Sequence, residues 1–234
     1  MKSIFTRSVI VILLTLFLML VLPITSSVRA AGAQKWQFRT ENHDTSITQN
    51  ADDGTQPHPC DKGMSLTWPT SPSYTTVAVP SGKRAWWYMD QAAETNVAFG
   101  MGTWQAESHA RLDTGKSETA YLRIKAWKVA PDGTATILAE GESEVPLDED
   151  DAHYPIELTP SVSQNVPTGY TVGCSVEWSG TETLYIDYGQ TMGGRDGWCQ
   201  SPSNDPGYPT PELSTIFLMS LGLTTIIVFL YFRH

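Results

Sequence analysis

Between residues 64 and 188, apolar and polar side chains alternate in short runs rich in β-branched and aromatic residues, with turn-forming residues between the runs. A period of two sends alternate side chains to opposite faces of a strand. The runs therefore predict strands near 65–68, 75–79, 85–89, 97–104, 119–129, 135–140, 154–158, 170–178 and 183–188. Leu122, Ile124 and Ala126 alternate with Tyr121, Arg123, Lys125 and Trp127, and Pro131-Asp132-Gly133 then turns the chain into Ala135-Thr136-Ile137-Leu138. This is a β-hairpin pattern with one wet face. Leu184, Ile186 and Tyr188 alternate with Thr183, Tyr185 and Asp187, which marks 183–188 as a closing strand beside 170–178. With no amphipathic helical period among them, the strands predict an all-β fold, an antiparallel β-sandwich of jelly-roll type over 64–192.

The pattern changes at both ends. An apolar run over 9–22 follows Lys2 and Arg7 and gives way to the small residues around Ala30, the layout of a secretory signal peptide over 1–30. A second run, 213–232, holds about 20 uncharged residues, long enough at 1.5 Å rise per residue to span a hydrocarbon core as a transmembrane helix, with 233–234 as a cytoplasmic end. Residues 31–63 read as an irregular, mostly polar segment. Residues 193–212 are rich in Gly and Pro, the composition of a semi-rigid stalk. The expected location is the outer side of a cell membrane, with a single pass and the sandwich outside.

Charge narrows the partners. The body 31–212 carries eleven basic against 25 acidic residues, a net charge of −14. Such a field repels nucleic acid. In the oxidising compartment that a signal peptide implies, three cysteines allow one bridge. Cys174 alternates in phase with Val172 and Val176 and is expected as a buried thiol, whereas Cys60 and Cys199 both border irregular segments. The expected bridge is Cys60–Cys199.

The order of a Pro-rich segment, Pro211-Glu212-Leu213, an apolar helix and a terminal basic residue resembles the sorting tails of archaeal surface proteins processed by archaeosortase, in which Pro-Glu-Phe or Pro-Gly-Phe precedes the helix. Leu213 stands where that pattern has Phe, and a single Arg233 replaces the basic cluster. The resemblance implies an exported surface protein, with either a processed tail or a simple anchor. The body, with its Lys128-Val129-Ala130-Pro131-Asp132-Gly133-Thr134 hairpin, is similar to the jelly-roll domains of secreted prokaryotic proteins, a likeness of architecture.

Candidate chemistry is sparse. No Gly-x-Ser-x-Gly nucleophile motif occurs. His109, in Glu107-Ser108-His109-Ala110-Arg111, has a hydroxyl and a carboxylate as sequence neighbours, but a strand turns alternate residues to opposite faces. Asp148, Glu149, Asp150 and Asp151 are four adjacent carboxylates that repel one another unless solvated or bound to a hard cation such as Ca²⁺; no other cofactor is implied. Trp87 alternates with Trp86 and Tyr88, and Trp127 falls on the wet face beside Arg123 and Lys125, so Trp87, Trp127, Arg123 and Lys125 form the candidate binding face. These features point to a membrane-held surface protein with an envelope, adhesion or other binding role rather than catalysis, its partner a cell-envelope polymer, a glycan or another surface protein. A displayed carbohydrate-binding module and a surface hydrolase are the rival readings. Converging carboxylates around His109 would mark the hydrolase.

Overall fold

A computed structural model describes residues 32–42, 58, 60–161, 164–190 and 194–209, all within one compact unit, Ala31–Thr210. The signal-peptide and membrane-anchor segments lie outside the described residues. Among the latter, no helix is long and apolar enough to cross a membrane.

Among the described residues thirteen strands follow one another: β1 (Lys35–Asn42), β2 (Cys60–Ser65), β3 (Thr75–Val79), β4 (Arg84–Met89), β5 (Val97–Ala98), β6 (Trp104–Arg111), β7 (Glu118–Val129), β8 (Ala135–Leu147), β9 (Ala152–Pro160), β10 (Asn165–Val166), β11 (Thr171–Trp178), β12 (Leu184–Tyr188) and β13 (Trp198–Gln200). The expected hairpin is present. β7 pairs β8 from Glu118↔Leu147 to Val129↔Ala135, with a bulge after Ala126, and Gly133 supplies the positive φ of the turn at +89°.

The open sandwich is not what forms. Nine strands pair in the order β13-β1-β2-β4-β11-β7-β8-β9-β6, and β6 pairs back to β13, which closes a barrel. β2 and β4 run parallel, and the other ladders are antiparallel. Strand β12 pairs with β6 and with β3, forming a flap, and not with β11 as the sequence suggested. A barrel and a sandwich both bury one face of every strand, so alternation is the same in each. Closure depends on segments whose alternation is weak. β6 has only small residues, Ala106, Ser108 and Ala110, between Trp104 and Leu112 on its inner face, and β13 is three residues long within the expected stalk.

The supposed stalk belongs to the body up to residue 209. Trp36 and Ala106 pair with Cys199 from either side. Ser201 Oγ accepts from Gln34 N at 2.9 Å, Ser201 and Asp205 are hydrogen-bonded side chain to side chain, and Tyr208 OH donates to Gln91 O at 2.6 Å. Inside the barrel Trp87 stacks on Phe38 at 4.2 Å and meets Tyr188 edge-on. Trp36 packs with Phe99, Trp104 and Tyr208.

A second, smaller apolar cluster sits on the outer face: Trp86, Tyr88, Trp127 and Val129, flanked by Ala135 and Ile137. His58, its side chain fully buried, stacks on Trp86 at 5.5 Å and lies 2.9 Å from Asp61. The face predicted to be wet at Trp127 is therefore covered. Trp127 is 6% exposed and donates its indole N–H to Ser175 Oγ at 2.8 Å.

Trp127→Ala is expected to destabilise the protein by about 3–5 kcal/mol, the range for truncating a buried large aromatic. For a unit of this size Tm should fall by roughly 6–20 °C, read from thermal melts of the full chain; a fall under about 2 °C would mean that the ring is not packed.

Candidate functional site

Strand β6 is shared between two neighbours on one edge. Its first half pairs with β13 (Gln105↔Gln200, Glu107↔Trp198), and its second half pairs with β12 (His109↔Asp187, Arg111↔Tyr185). On its other edge β9 runs the whole length, bringing His153 opposite His109. At the fork the segment 194–197 leads into β13. A side chain at Gly197 would sit 2.5 Å from the Phe38 ring, so only glycine seats the segment there, and Phe38 N donates to Gly197 O at 2.8 Å. That seating carries Arg195 and Asp196 onto β6.

The period of two puts Glu107, His109 and Arg111 on this outer face and Ser108 on the inner one. His109 Nδ1 faces Asp151 Oδ2 at 3.4 Å, and Arg195 Nε holds the same oxygen at 2.8 Å. His109 Nε2 faces Asp196 Oδ1 at 3.8 Å and Glu107 Oε1 at 3.9 Å. His153, 67% exposed at its side chain, places Nδ1 3.9 Å from Glu107 Oε1 and stacks over His109 at 5.9 Å. Fully buried Asp187 anchors the far side, accepting from Thr76 Oγ1 at 2.5 Å and Arg111 Nε at 3.3 Å.

Burial would raise the Asp151 carboxyl, but its contacts with His109 and Arg195 outweigh this and hold it below the usual range. Asp196 is pushed up, first by burial and then by the Glu107 charge. Lys35 is pushed down by burial against the pull of Glu107 and Asp196. Pairing Arg111 and Arg195 with Asp187 and Asp151 leaves Lys35 alone against Glu107 and Asp196.

Aromatic rings border the same face. Trp198 lies directly across from Glu107, with Lys35 Nζ 3.8 Å above its ring, and the same ammonium lies 5.5 Å from the ring of Trp68, which is 38% exposed.

The sequence-predicted residues do not assemble into one site. Trp87 is in the barrel core and Trp127 in the outer cluster. Arg123 bonds Glu142 at 2.5 Å and reaches Glu177, while Lys125 reaches Glu140 and Glu177; both line an open groove of about 500 Å³ with Gly141 and Thr159. Asp148, Glu149, Asp150 and Asp151 do not converge on a cation. Asp148 accepts from Asp150 N, Glu149 accepts from Gly115 N, and Asp151 turns to His109 and Arg195. All three thiols are free and buried: Cys60 lies against Tyr188 OH and Trp86 O and is pushed up to about 12 by burial, and Cys199 lies beside Cys174. The Cys60–Cys199 bridge is not formed.

His109 and Glu107 were singled out in the sequence beside Ser108, Trp68 ended an expected strand, Asp196 and Trp198 came from the segment read as stalk, and His153 was not anticipated. The carboxylates around His109 do converge, as the hydrolase reading required. Among the described residues, however, no hydroxyl or thiol lies at Nε2, since Ser108 points into the barrel.

No protein-family model and no curated protein matches the chain. Among solved structures it is similar to a CocE/NonD family hydrolase from Staphylococcus aureus, with a TM-score of 0.51 at 11% identity over 74% of this chain and 37% of that one. Two others superpose less well: an aminopeptidase from a marine sediment Thaumarchaeota archaeon (TM-score 0.47, 10% identity, 63% of this chain, 35% of that one) and the CBM22-1 xylan-binding domain of Paenibacillus barcinonensis Xyn10C (0.31, 9%, 59% and 90%). The first likeness is one of fold, and the chain spans about a third of that hydrolase's length.

Because its folded pKa lies below the ordinary 3.8, Asp151 contributes stability that is present above that value and lost as pH falls through the lower one. Asp151→Asn should therefore cost about 1–3 kcal/mol at neutral pH and almost nothing near pH 2, as read from denaturant melts at both.

Proposed function

We propose that this protein is a surface-displayed binding module without catalytic function, and that its ligand is a cell-envelope glycan held on the outer face where β13, β6 and β9 meet. One observation carries the reading: partly exposed Trp198 borders Glu107, His109 and His153, so an aromatic surface for the apolar face of a sugar ring lies beside carboxylate and imidazole groups that can bond its hydroxyls. Covalent catalysis of the serine or cysteine type fits less well, because among the described residues no hydroxyl or thiol lies at His109 Nε2. The net charge of −14 on the body favours a neutral or cationic ligand over an anionic one.

We place the module outside the membrane, exported by the segment 1–30 and held by the run 213–232. Protease added to intact cells should remove the barrel; its full protection would overturn this placement.

A glycan and envelope-polymer screen on the full chain in detergent should find a ligand whose binding Trp198→Ala abolishes, while Tm changes by less than roughly 4 °C because the outward ring leaves no core cavity. Undiminished binding by Trp198→Ala would refute the assigned face.

A further inference from the structure

We infer that Glu107, His109 and Asp196 form a binding site for a divalent transition-metal ion of the zinc class. Their donor atoms, Glu107 Oε1, His109 Nε2 and Asp196 Oδ1, all lie within 4.8 Å of one another on the outer face of the barrel. The inference rests on the reading of this face as a binding surface and adds an ion to it.

Four observations converge. The donors come from two rigidly paired elements: Glu107 and His109 from one strand, Asp196 from a segment clamped between Phe38 and β6. Separations of 3.8 and 3.9 Å from Nε2 exceed by about half an ångström the ~3.4 Å between donors around a tetrahedral ion bound at ~2.1 Å, a gap that side-chain rotation closes. Asp196 is nine-tenths buried with its carboxylate aimed at Nε2, and among the described residues no side chain donates a hydrogen bond to it. Its side chain is 12% exposed, so the carboxylate stays open to a ligand arriving from solvent. Finally, buried His109 Nδ1 makes no hydrogen bond but lies 3.4 Å from Asp151 Oδ2, which Arg195 fixes, so a small tightening of this contact gives the outer-shell arrangement that orients a ligating imidazole and leaves Nε2 free to bind metal.

The donor set selects the ion. One imidazole and two carboxylates suit zinc and its divalent neighbours, whereas Ca²⁺ takes six to eight oxygens and Mg²⁺ seldom takes nitrogen. Binding would supply the positive charge that Lys35 alone does not. Three protein ligands leave a coordination position open toward solvent, on the face where Trp198 and His153 lie, so a bound ion would present itself to the hydroxyls of a sugar.

The test uses the full chain in detergent, stripped with a chelator and titrated with Zn²⁺ in competition with a chromophoric chelator. The expected result is one Zn²⁺ per chain, with affinity lowered at least tenfold, on the order of the loss for a removed ligand, by Glu107→Gln and by Asp196→Asn, about 10–100-fold by Asp151→Asn, and unchanged by Glu149→Gln. Co²⁺ serves as a second readout on the unmutated chain: it should shift the ring resonances of His109, identified by their loss in His109→Ala. Absence of Zn²⁺ binding, binding indifferent to Glu107→Gln and Asp196→Asn, or Co²⁺ shifts confined to other histidines would overturn the site. The glycan reading is decided separately, by Trp198→Ala in chelator-stripped protein, so that either can fail alone.

Discussion

The pairing of β13 with β1 on one edge and β6 on the other is the contact on which the rest of the architecture depends. Without it the sheet would end in two open edges, each a row of unpaired backbone groups. Three residues suffice because their neighbours are already anchored: Gln34 is stitched to Ser201 and Tyr208, and buried Asp205 ties Ser201 to Gly207. Closure also explains why residues that look like a linker are buried. Cys199 becomes a core residue beside Cys174, and Tyr208 packs on Trp36.

The same strand that completes the barrel creates the site. Because β13 covers only the first half of β6, β12 takes over the second half, and the chain leading into β13 crosses to that edge of β6 at the changeover. That crossing brings Asp196 to His109 and Arg195 to Asp151 and Asp187. An unusual inner face makes this possible. Ala106, Ser108 and Ala110 are small and the bulky contacts come from elsewhere, so β6 places its polar side chains on the outer face where three segments converge. The site is thus a product of topology, made from stretches of chain distant in sequence.

The distribution of aromatic residues follows similar logic. Trp86 and Trp87 are adjacent and face opposite sides, yet neither reaches solvent, because one side is the barrel interior and the other is roofed around His58. The tryptophans left partly accessible, Trp68 and Trp198, border the ionisable cluster. The face joins stacking surface, carboxylates and imidazole, the groups to which our proposal assigns the binding of a polyhydroxylated ligand.

Local alternation determined the strands of the middle of the chain. The run 75–79 matches β3, the Pro131-Asp132-Gly133 turn joins β7 to β8 as expected, and Cys174 is inside because Val172 and Val176 are. It also placed Glu107 and His109 on one face and Ser108 on the other, for a period of two is a property of the extended backbone itself. Alternation cannot report which strands are neighbours, whether a sheet closes, or whether a second layer covers the outer face, because each leaves the same one-sided pattern. The barrel, the burial of Trp127 and the meeting of His109 with Asp151 and Asp196 were therefore decided only by tertiary structure: they depend on contacts between segments far apart in sequence, which no local period encodes.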